Sequence, residues 1–289
     1  MRSKLLFIVF LFLMLFYTKL CCAQNNNNAT DTENLFWRPK LEEAFNKTFN
    51  SPHEFAACQI FQLLGYDLAE ISQINKITPK PATLKIEFKD MEEVEEPYSY
   101  CASQSVKVIK FKELNVVCTR VHYFGMVIER VIFGFPESSI EYDTLNKGRI
   151  RFNRAKEITM NVSVSESDLL SVMNLYAKSK ALSSVKLRLA NDKINAVGRV
   201  NMGIFVAEFK VKGHIQKISP KQVNFVCEKL TINNISQPRA FVGRIVNYVN
   251  PVFDSTKIWI NLNVSEMKLI KGFVESKATI NKKEIKNGN

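Results

Sequence analysis

The last hundred residues of the chain alternate apolar and polar side chains, and this pattern constrains the fold more than any other feature. Between Val185 and Ile280, apolar residues fall at every second position in several successive runs. Such alternation is typical of β-strands that bury one face and expose the other. An antiparallel sheet of this kind must cover its apolar face. We therefore expect the function to depend on what covers it.

Two short amphipathic helices are predicted beside these strands. The segment from Ser167 to Met173 follows a strand at Ile158–Ser165 and begins with capping residues, Glu166 and Asp168 among them. The second helix, Arg239 to Tyr248, lies between Pro238 and Pro251. Its apolar stripe consists of Phe241, Val242, Ile245, Val246 and Val249.

The N-terminal part of the mature chain has a different pattern. Residues 34–104 read as a helical segment and linker, with Leu41, Phe45 and Phe49 at four-residue spacing and an acidic loop from Met91 to Pro97. From residue 105 to residue 281 the chain is β-rich, with a break expected at Gly134–Pro136. The fold class predicted is α+β, mainly antiparallel.

The first residues resemble a secretory signal. Arg2 and Lys4 precede an apolar run from Leu5 to Tyr17 of about 13 residues, which is short for a bilayer span. Small residues at Cys21–Ala23 suit cleavage, so we expect residues 1–23 to be a signal peptide. The alternative is an uncleaved anchor. Residues 24–33 then form an Asn-rich disordered leader, and residues 282–289 a basic tail.

Export affects how the cysteines are interpreted. The mature chain retains Cys58, Cys101, Cys118 and Cys227, which allow three disulfide pairings. A bond between Cys101 and Cys118 would close a loop of about 18 residues and stabilise by about 3 kcal/mol. The alternative for Cys227 is a small core residue.

The net charge of +12 is unevenly distributed. Residues 24–100 carry 7 basic and 13 acidic side chains, whereas residues 101–289 carry 30 and 15. In an exported protein, a basic body suggests an anionic membrane surface as a partner. The alternative is a solvated, Lys-rich strand face. No nucleic-acid-binding motif is present, so nucleic acid is not an expected partner.

No catalytic signature is found. The three histidines His53, His122 and His214 are isolated from one another, and the nucleophile-elbow, zinc-protease and P-loop motifs are absent from the sequence. Cys118 and His122 share a strand face, but a core or disulfide cysteine is the simpler interpretation. We expect neither an enzyme, nor a metal site, nor a cofactor.

The order of elements resembles one known family. The segments "ITMNVSVSESDLLSVM", "VKLRLANDKINAVGRVNMGIFVAEFKVKGHI", "VCEKLTINNISQPRAFVGRIVNYVNPVFD" and "MKLIKGFVESKATI" look like the LmeA-like phospholipid-binding proteins of bacterial envelopes. The resemblance covers about 105–280 and is strongest over 158–280. It departs from the family at Ser255–Ile258, where the family often has a Leu-Pro-Phe-like entry.

The resemblance implies a long, curved sheet with short helices across its concave apolar face and acyl chains between them. It thereby implies a non-catalytic lipid-binding protein of the periplasm or cell envelope, with phospholipid as ligand. Arg239 and Arg244 are candidates for contact with a phosphate. The acyl lining would consist of Leu169, Leu170, Val172, Phe241, Val242, Ile245, Val246 and Val249.

Two alternatives stay open. In the first, the sheet is fully packed and the protein is an interaction module that binds a partner through its basic face. In the second, the protein hydrolyses envelope lipid, although no nucleophile–base pair is evident in the sequence. Small residues facing the helices favour a cavity over a packed core; they are Ala196, Gly198, Gly203 and Gly213.

Overall fold

The computed structural model describes residues 31–50, 81–123, 126–177, 182–202, 205–257 and 261–281. In these ranges the chain is α+β, with long antiparallel strands and a few short helices, as the alternation predicts. The helices are α1 (Asp31–Asn50), α2 (Tyr142–Asn146), α3 (Glu166–Ala177) and α4 (Arg239–Val249). The strands are β1 (Thr83–Tyr98), β2 (Cys101–Tyr123), β3 (Met126–Glu141), β4 (Phe152–Arg154), β5 (Ile158–Ser165), β6 (Leu182–Ala190), β7 (Lys193–Met202), β8 (Phe205–Ser219), β9 (Gln222–Ile232), β10 (Ile235–Ser236), β11 (Phe253–Asp254), β12 (Leu262–Ile270) and β13 (Phe273–Ile280).

The described strands form two sheets where a single one was expected. Sheet A has the order β1-β2-β3-β5-β13-β12, with β4 paired to β3. Sheet B has the order β10-β9-β8-β7-β6, with β11 paired to β9. Both are antiparallel throughout. The last two strands of the chain therefore complete sheet A. The strands of sheet B lie between β5 and β12 in the sequence.

Helix α1 covers the apolar face of sheet A. Its four-residue spacing, expected from Leu41 and Phe45, is confirmed, since both side chains are buried together with Trp37 and Ala44. The Phe45 ring lies 6.3 Å from the ring of Phe135 and 6.4 Å from that of Phe152, centre to centre. These residues join the main hydrophobic core with side chains of β1, β2 and β3.

Sheet B stands with one end on β12, the edge strand of sheet A. The β6–β7 turn donates a hydrogen bond from the Asp192 amide to the Leu269 carbonyl, and the Asp192 carboxylate accepts one from the Leu269 amide. At the other end of β12, the Val264 amide donates to the carbonyl of Pro220 in the β8–β9 turn. Both turns belong to the same end of sheet B, so β12 crosses that end, which we call the junction end.

The N-terminal segment differs from the prediction. Strand β1 contains the acidic run Met91–Pro97, which was expected to be a loop, and β1 pairs with β2 along its length. The boundary expected at 104/105 lies inside β2. The acidic side chains are accommodated because lysines of β2 pair with them: Lys107 with Glu93, Lys110 with Glu92 and Lys112 with Asp90.

Two smaller expectations also fail. The chain does not break at Gly134–Pro136, since β3 continues through these residues and Pro136 pairs with Glu113. The leader expected at 24–33 overlaps α1, which begins at Asp31. The signal peptide, most of the leader and the basic tail lie outside the described residues.

Candidate functional site

The strand register assigns the apolar side chains of sheet B to one face. Ala196 pairs with Leu187 on one side and Val211 on the other, and Val211 in turn pairs with Leu230. Because paired residues of antiparallel strands point to the same side of a sheet, these residues share one apolar face. The opposite, outer face carries Lys186, Arg188, Lys193, Arg199, Lys210 and Lys212.

Burial varies along the apolar face, and Val185 and Leu230 stay buried beside positions that are partly exposed. Leu189 and Val223, close to β12, are fully buried and belong to the main core. Farther along the strands, four apolar side chains are only half-buried and do not belong to that core: Val200, Phe209, Val211 and Ile232. The end of sheet B that is remote from β12, which we call the distal end, therefore presents partly exposed apolar surface.

Two of the glycines that were expected to leave room on this face do not. A Cβ atom at Gly198 would lie 2.6 Å from the Phe209 ring, and one at Gly213 would lie 2.6 Å from the Phe225 ring. The two phenylalanine rings thus fill the space above the glycines, which is a common way to complete a glycine-containing strand. The glycines therefore leave no cavity on the apolar face at these positions. Gly203 lies outside the described residues.

Helix α4 runs alongside β9, the strand that borders β10 and β11. It begins after Pro238, and the preceding Gln237 amide donates to the Leu230 carbonyl. It ends at Asn250, whose side-chain amide exchanges two hydrogen bonds with the Phe225 backbone, at 2.8 and 2.9 Å. The predicted helix and its Asn-Pro stop are confirmed. The helix is held at both ends to the edge of sheet B.

The apolar stripe of α4 is divided between two environments. Val242 and Val246 are half-buried, whereas Phe241 and Ile245 are each 42% exposed. The side chain of Val249 lies outside the described residues. Arg239 and Arg244 are exposed, and neither forms an ion pair with a described residue.

Helix α3 lies on the other side of sheet B. It contacts the edge strand β6 and, in sheet A, β3 and β5. Its start is capped, as expected, but by Ser165 and not by the carboxylates named above, since the Ser165 hydroxyl accepts a hydrogen bond from the Asp168 amide at 3.1 Å. Leu169 is buried in the main core and Leu170 is half-buried, while the side chain of Val172 lies outside the described residues. The structure thus separates the two predicted lining helices, because two strands, β7 and β8, lie between β6 and β9, which they contact.

Glu166 has a role that the sequence did not indicate. Its carboxylate accepts a hydrogen bond from the Leu189 amide at 2.5 Å, and its own amide donates to the Gly272 carbonyl. The first residue of α3 therefore ties the edge of sheet B to the β12–β13 turn. Capping alone, which was expected for this residue, does not describe its contacts.

None of the expected disulfides joins two of the described cysteines. Cys101, Cys118 and Cys227 are free thiols. Cys101 and Cys118 lie on the same extended strand, β2, so their Cα atoms are about 50 Å apart, whereas a disulfide requires less than about 7 Å. Burial raises the pKa of the Cys118 thiol to about 12. Cys58 lies outside the described residues.

The outer face of sheet B carries one cluster of titratable groups. Glu228 accepts hydrogen bonds from Lys193 and from His214 Nδ1, the latter at 2.9 Å, and these partners hold the pKa of its carboxyl below the usual value. No group of three or more His, Cys, Asp or Glu side chains able to hold a metal is found in the part of the chain that the structure describes. The side chains of His53 and His122 lie outside it.

Sheet A has a polar cavity of about 560 Å³ that the sequence did not suggest. Two lysines and two acids of its lining pair with each other, Lys89 with Glu113 and Lys112 with Asp90, each at 3.1 Å. Asn115 also donates to Glu113, and this hydrogen bond, followed by Lys89, lowers the pKa of the Glu113 carboxyl. The charges of the cavity are thus satisfied within it.

A buried carboxylate lies near the β1–β2 turn. Glu141 is 5% exposed, and Arg151 Nε lies 3.2 Å from its Oε1. The Arg151 guanidinium also lies 4.7 Å from the ring centre of Tyr100 and 5.5 Å from that of Tyr98. Burial raises the pKa of the Glu141 carboxyl, and Arg151 opposes that shift only in part. This cluster joins β3 to the end of the first hairpin.

Two further observations bear on the site. Within the described ranges, no helix has the length and apolar composition needed to cross a bilayer. Comparison of the chain with known protein families, curated proteins and solved structures returns no match. The resemblance to the LmeA-like family stays a prediction.

Proposed function

We propose that the protein is a non-catalytic lipid-binding protein that holds acyl chains against the distal apolar face of sheet B, beside α4. The observation that carries the proposal is the partly exposed apolar surface formed by Val200, Phe209, Val211 and Ile232. A soluble domain rarely leaves such a contiguous face partly open without a ligand or partner for it.

The open form of the surface favours a ligand with two acyl chains. Full burial contributes about 0.8 kcal/mol per methylene, and an open groove that covers roughly half of a chain contributes about 0.4. A single chain is marginal even when it is fully buried, so two chains are needed for stable retention. A phospholipid meets this requirement, and Arg239 and Arg244 are available to its phosphate because both are exposed and without an acidic partner among the described residues.

The experiment is native mass spectrometry of residues 24–289, purified without detergent, with lipid extraction of the same sample. We expect a discrete added mass that matches a diacyl lipid. Replacing Val211 by Glu places a charge on the apolar face and should lower occupancy at least about tenfold, because an unpaired charge in an apolar site costs several kcal/mol.

The neighbouring Lys212 supplies the matched control. Lys212→Gln changes the net charge by the same amount as Val211→Glu, on the same strand, but on the outer face. It should leave the bound mass unchanged. A clean apo mass for the parent protein, with no lipid uptake from anionic vesicles, would overturn the proposal.

That negative result would favour an interaction module that binds an anionic protein partner through its outer face. The observation in its favour is that Arg199, Lys212 and Lys229 are exposed and form no ion pair with described residues. Binding to an acidic partner would then fall steeply with salt and would be lost in Lys212→Gln.

The proposal includes export to the periplasm or cell envelope. It rests on the basic start and apolar run of residues 1–23. N-terminal sequencing of protein recovered from the envelope fraction should begin at Gln24. Recovery of the intact Met1 terminus from the cytosol would contradict it.

A further inference from the structure

The apolar stripe of α4 is wider than the surface that covers it. Val242 and Val246 are half-buried, but Phe241 and Ile245, which lie one helical turn apart, are each 42% exposed. Arg239 and Arg244 flank them, and α4 contains no acidic residue. A basic amphipathic helix with an exposed apolar side is typical of helices that lie in a membrane interface.

The exposed apolar side chains concentrate in the same region of the molecule. Of the seven large apolar residues that are exposed in the described ranges, four lie in α4 or at the distal end of sheet B, whereas Ile218 lies near the junction end; the four are Val206, Ile235, Phe241 and Ile245. Ile235, which is 69% exposed, follows the β9–β10 turn at the distal end, and Val206, 59% exposed, follows the β7–β8 turn there. The distal end and α4 therefore form one partly apolar margin.

Much of the net charge lies in the strands and the helix that contribute to this margin. Residues 193–249, from β7 through α4, carry nine lysines and arginines against two glutamates, a net charge of +7 out of +12 for the chain. Five of these nine cations form no ion pair or side-chain hydrogen bond with a described residue: Arg199, Lys212, Lys229, Arg239 and Arg244. Unpaired cations beside apolar side chains complement a surface whose outer layer is anionic and whose interior is apolar.

We infer that α4 and the distal end of sheet B dock onto the surface of an anionic lipid bilayer, with Phe241 and Ile245 inserted between the headgroups. The inference rests on the proposed function, because a protein that takes up acyl chains must reach the bilayer that holds them. It assigns Phe241 and Ile245 to the membrane, whereas Val242 and Val246 stay with the sheet. A nucleic acid would match the charge but not the apolar residues.

The test is flotation of residues 24–289 with vesicles of neutral lipid alone and of neutral lipid mixed with anionic phosphatidylglycerol. We expect flotation with the anionic vesicles only. The double variant Arg239→Gln/Arg244→Gln should weaken binding about thirtyfold, since each cation near such a surface contributes about 1 kcal/mol. The double variant Phe241→Ser/Ile245→Ser should weaken it about tenfold through lost apolar contact.

Matched controls lie on the side of sheet A, one in α1 and one directly after α2. Phe36→Ser removes an aromatic side chain of similar exposure, 55%, and Lys147→Gln removes an exposed cation. Both should bind vesicles as the parent does. Equal losses in the controls, or no flotation of the parent, would overturn the inference. So would binding that depends on charge alone, shared with heparin or DNA and insensitive to Phe241→Ser/Ile245→Ser.

A second measurement separates insertion from adsorption. In Phe241→Trp, the added indole should be quenched by lipids brominated along their acyl chains, after subtraction of the parent signal. Lack of quenching in bound protein would exclude insertion.

The two proposals fail separately. Loss of flotation with retention of the lipid mass would overturn the docking surface alone. Flotation without any lipid mass would support the surface and overturn the acyl-chain proposal.

Discussion

Sheets A and B share one sequence pattern and differ in how their apolar faces are covered. In β5 of sheet A every second residue, Ile158, Met160, Val162 and Val164, is buried. In β7 and β8 of sheet B several equivalent positions, such as Val200, Phe209 and Val211, are only partly buried. The alternation is equally regular in the two sheets.

The difference lies in the helix that each sheet receives. Helix α1 places Trp37, Leu41 and Phe45 into the core of sheet A, where all three are at most 3% exposed. Helix α4 packs mainly against β9, and all of its described side chains stay half-buried or exposed. Alternation shows which face of a sheet is apolar, but the covering element decides whether that face is core or binding surface.

The largest expected effect tests this difference directly. Phe45→Ala should destabilise by about 4 kcal/mol, because it leaves a cavity between Phe135 and Phe152 in a closed core. Phe209→Ala should cost only about 1–2 kcal/mol, because its ring already contacts solvent. Urea unfolding of the two variants measures both values. Equal losses would mean that the face of sheet B is as closed as that of sheet A.

Glycine substitutions sharpen the comparison within sheet B. A Cβ at Gly213 would lie 2.2 Å from the Val226 carbonyl oxygen, which is backbone and cannot rotate away, so Gly213→Ala should cost about 3 kcal/mol. At Gly243 in α4, no described atom outside the neighbouring backbone of the helix lies within 4 Å of the added Cβ. Gly243→Ala should therefore stabilise by about 0.5–1 kcal/mol through helix propensity. Thermal melts report both, and a loss at Gly243 would show that α4 is more tightly covered than we describe.

The junction between the sheets should respond to Glu166. Glu166→Ala leaves the Leu189 amide without its acceptor and should cost about 1.5 kcal/mol. Glu166→Gln keeps an acceptor oxygen and should retain most of the stability. Hydrogen exchange at Leu189 should quicken in the alanine variant while exchange in β2 stays unchanged. Uniform quickening would indicate that the two sheets unfold as one unit.

The strands and helices of the C-terminal half could be predicted from the sequence because their signals are local. Alternation, the polar start of α3 and the Pro238 and Asn250 boundaries of α4 all act within a few residues. The relative placement of the elements could not be predicted. The spacing of Cys101 and Cys118 suits a loop, yet both lie on β2; the acidic run of β1 became strand because β2 supplies lysines opposite it. Partners distant in sequence decided both cases.

For the site, the sequence identified the apolar stripe of α4 but not its division. The helical period assigns Phe241, Val242, Ile245 and Val246 to one side, and only the position of β9 separates the exposed pair from the half-buried pair. Leu169 was assigned to the lining by the same reasoning, but it belongs to the main core because α3 packs between the sheets.

The smallest expected effect contrasts two carboxylates. In sheet A, burial raises the pKa of Glu141 above its usual 4.5; in sheet B, Lys193 and His214 lower that of Glu228. A raised pKa means that the folded state holds the proton more tightly, so the contribution of Glu141 is present below 4.5 and is lost as pH rises through the folded-state pKa. Glu228 behaves oppositely, because its contribution is present above 4.5 and is lost as pH falls through its lowered pKa.

Unfolding curves measured across this range should therefore change in opposite ways. Glu141→Gln should flatten the decline in the free energy of unfolding that accompanies rising pH just above 4.5. Glu228→Gln should flatten the decline on acidification below that value. The Glu228 effect should also shrink with added salt, since its partners are solvent-exposed, while the Glu141 effect should persist because its cause is burial. If both variants changed the same limb of the pH profile, the buried environment described for Glu141 would be wrong. The contrast between a covered sheet A and a partly open sheet B would then not extend to these two carboxylates.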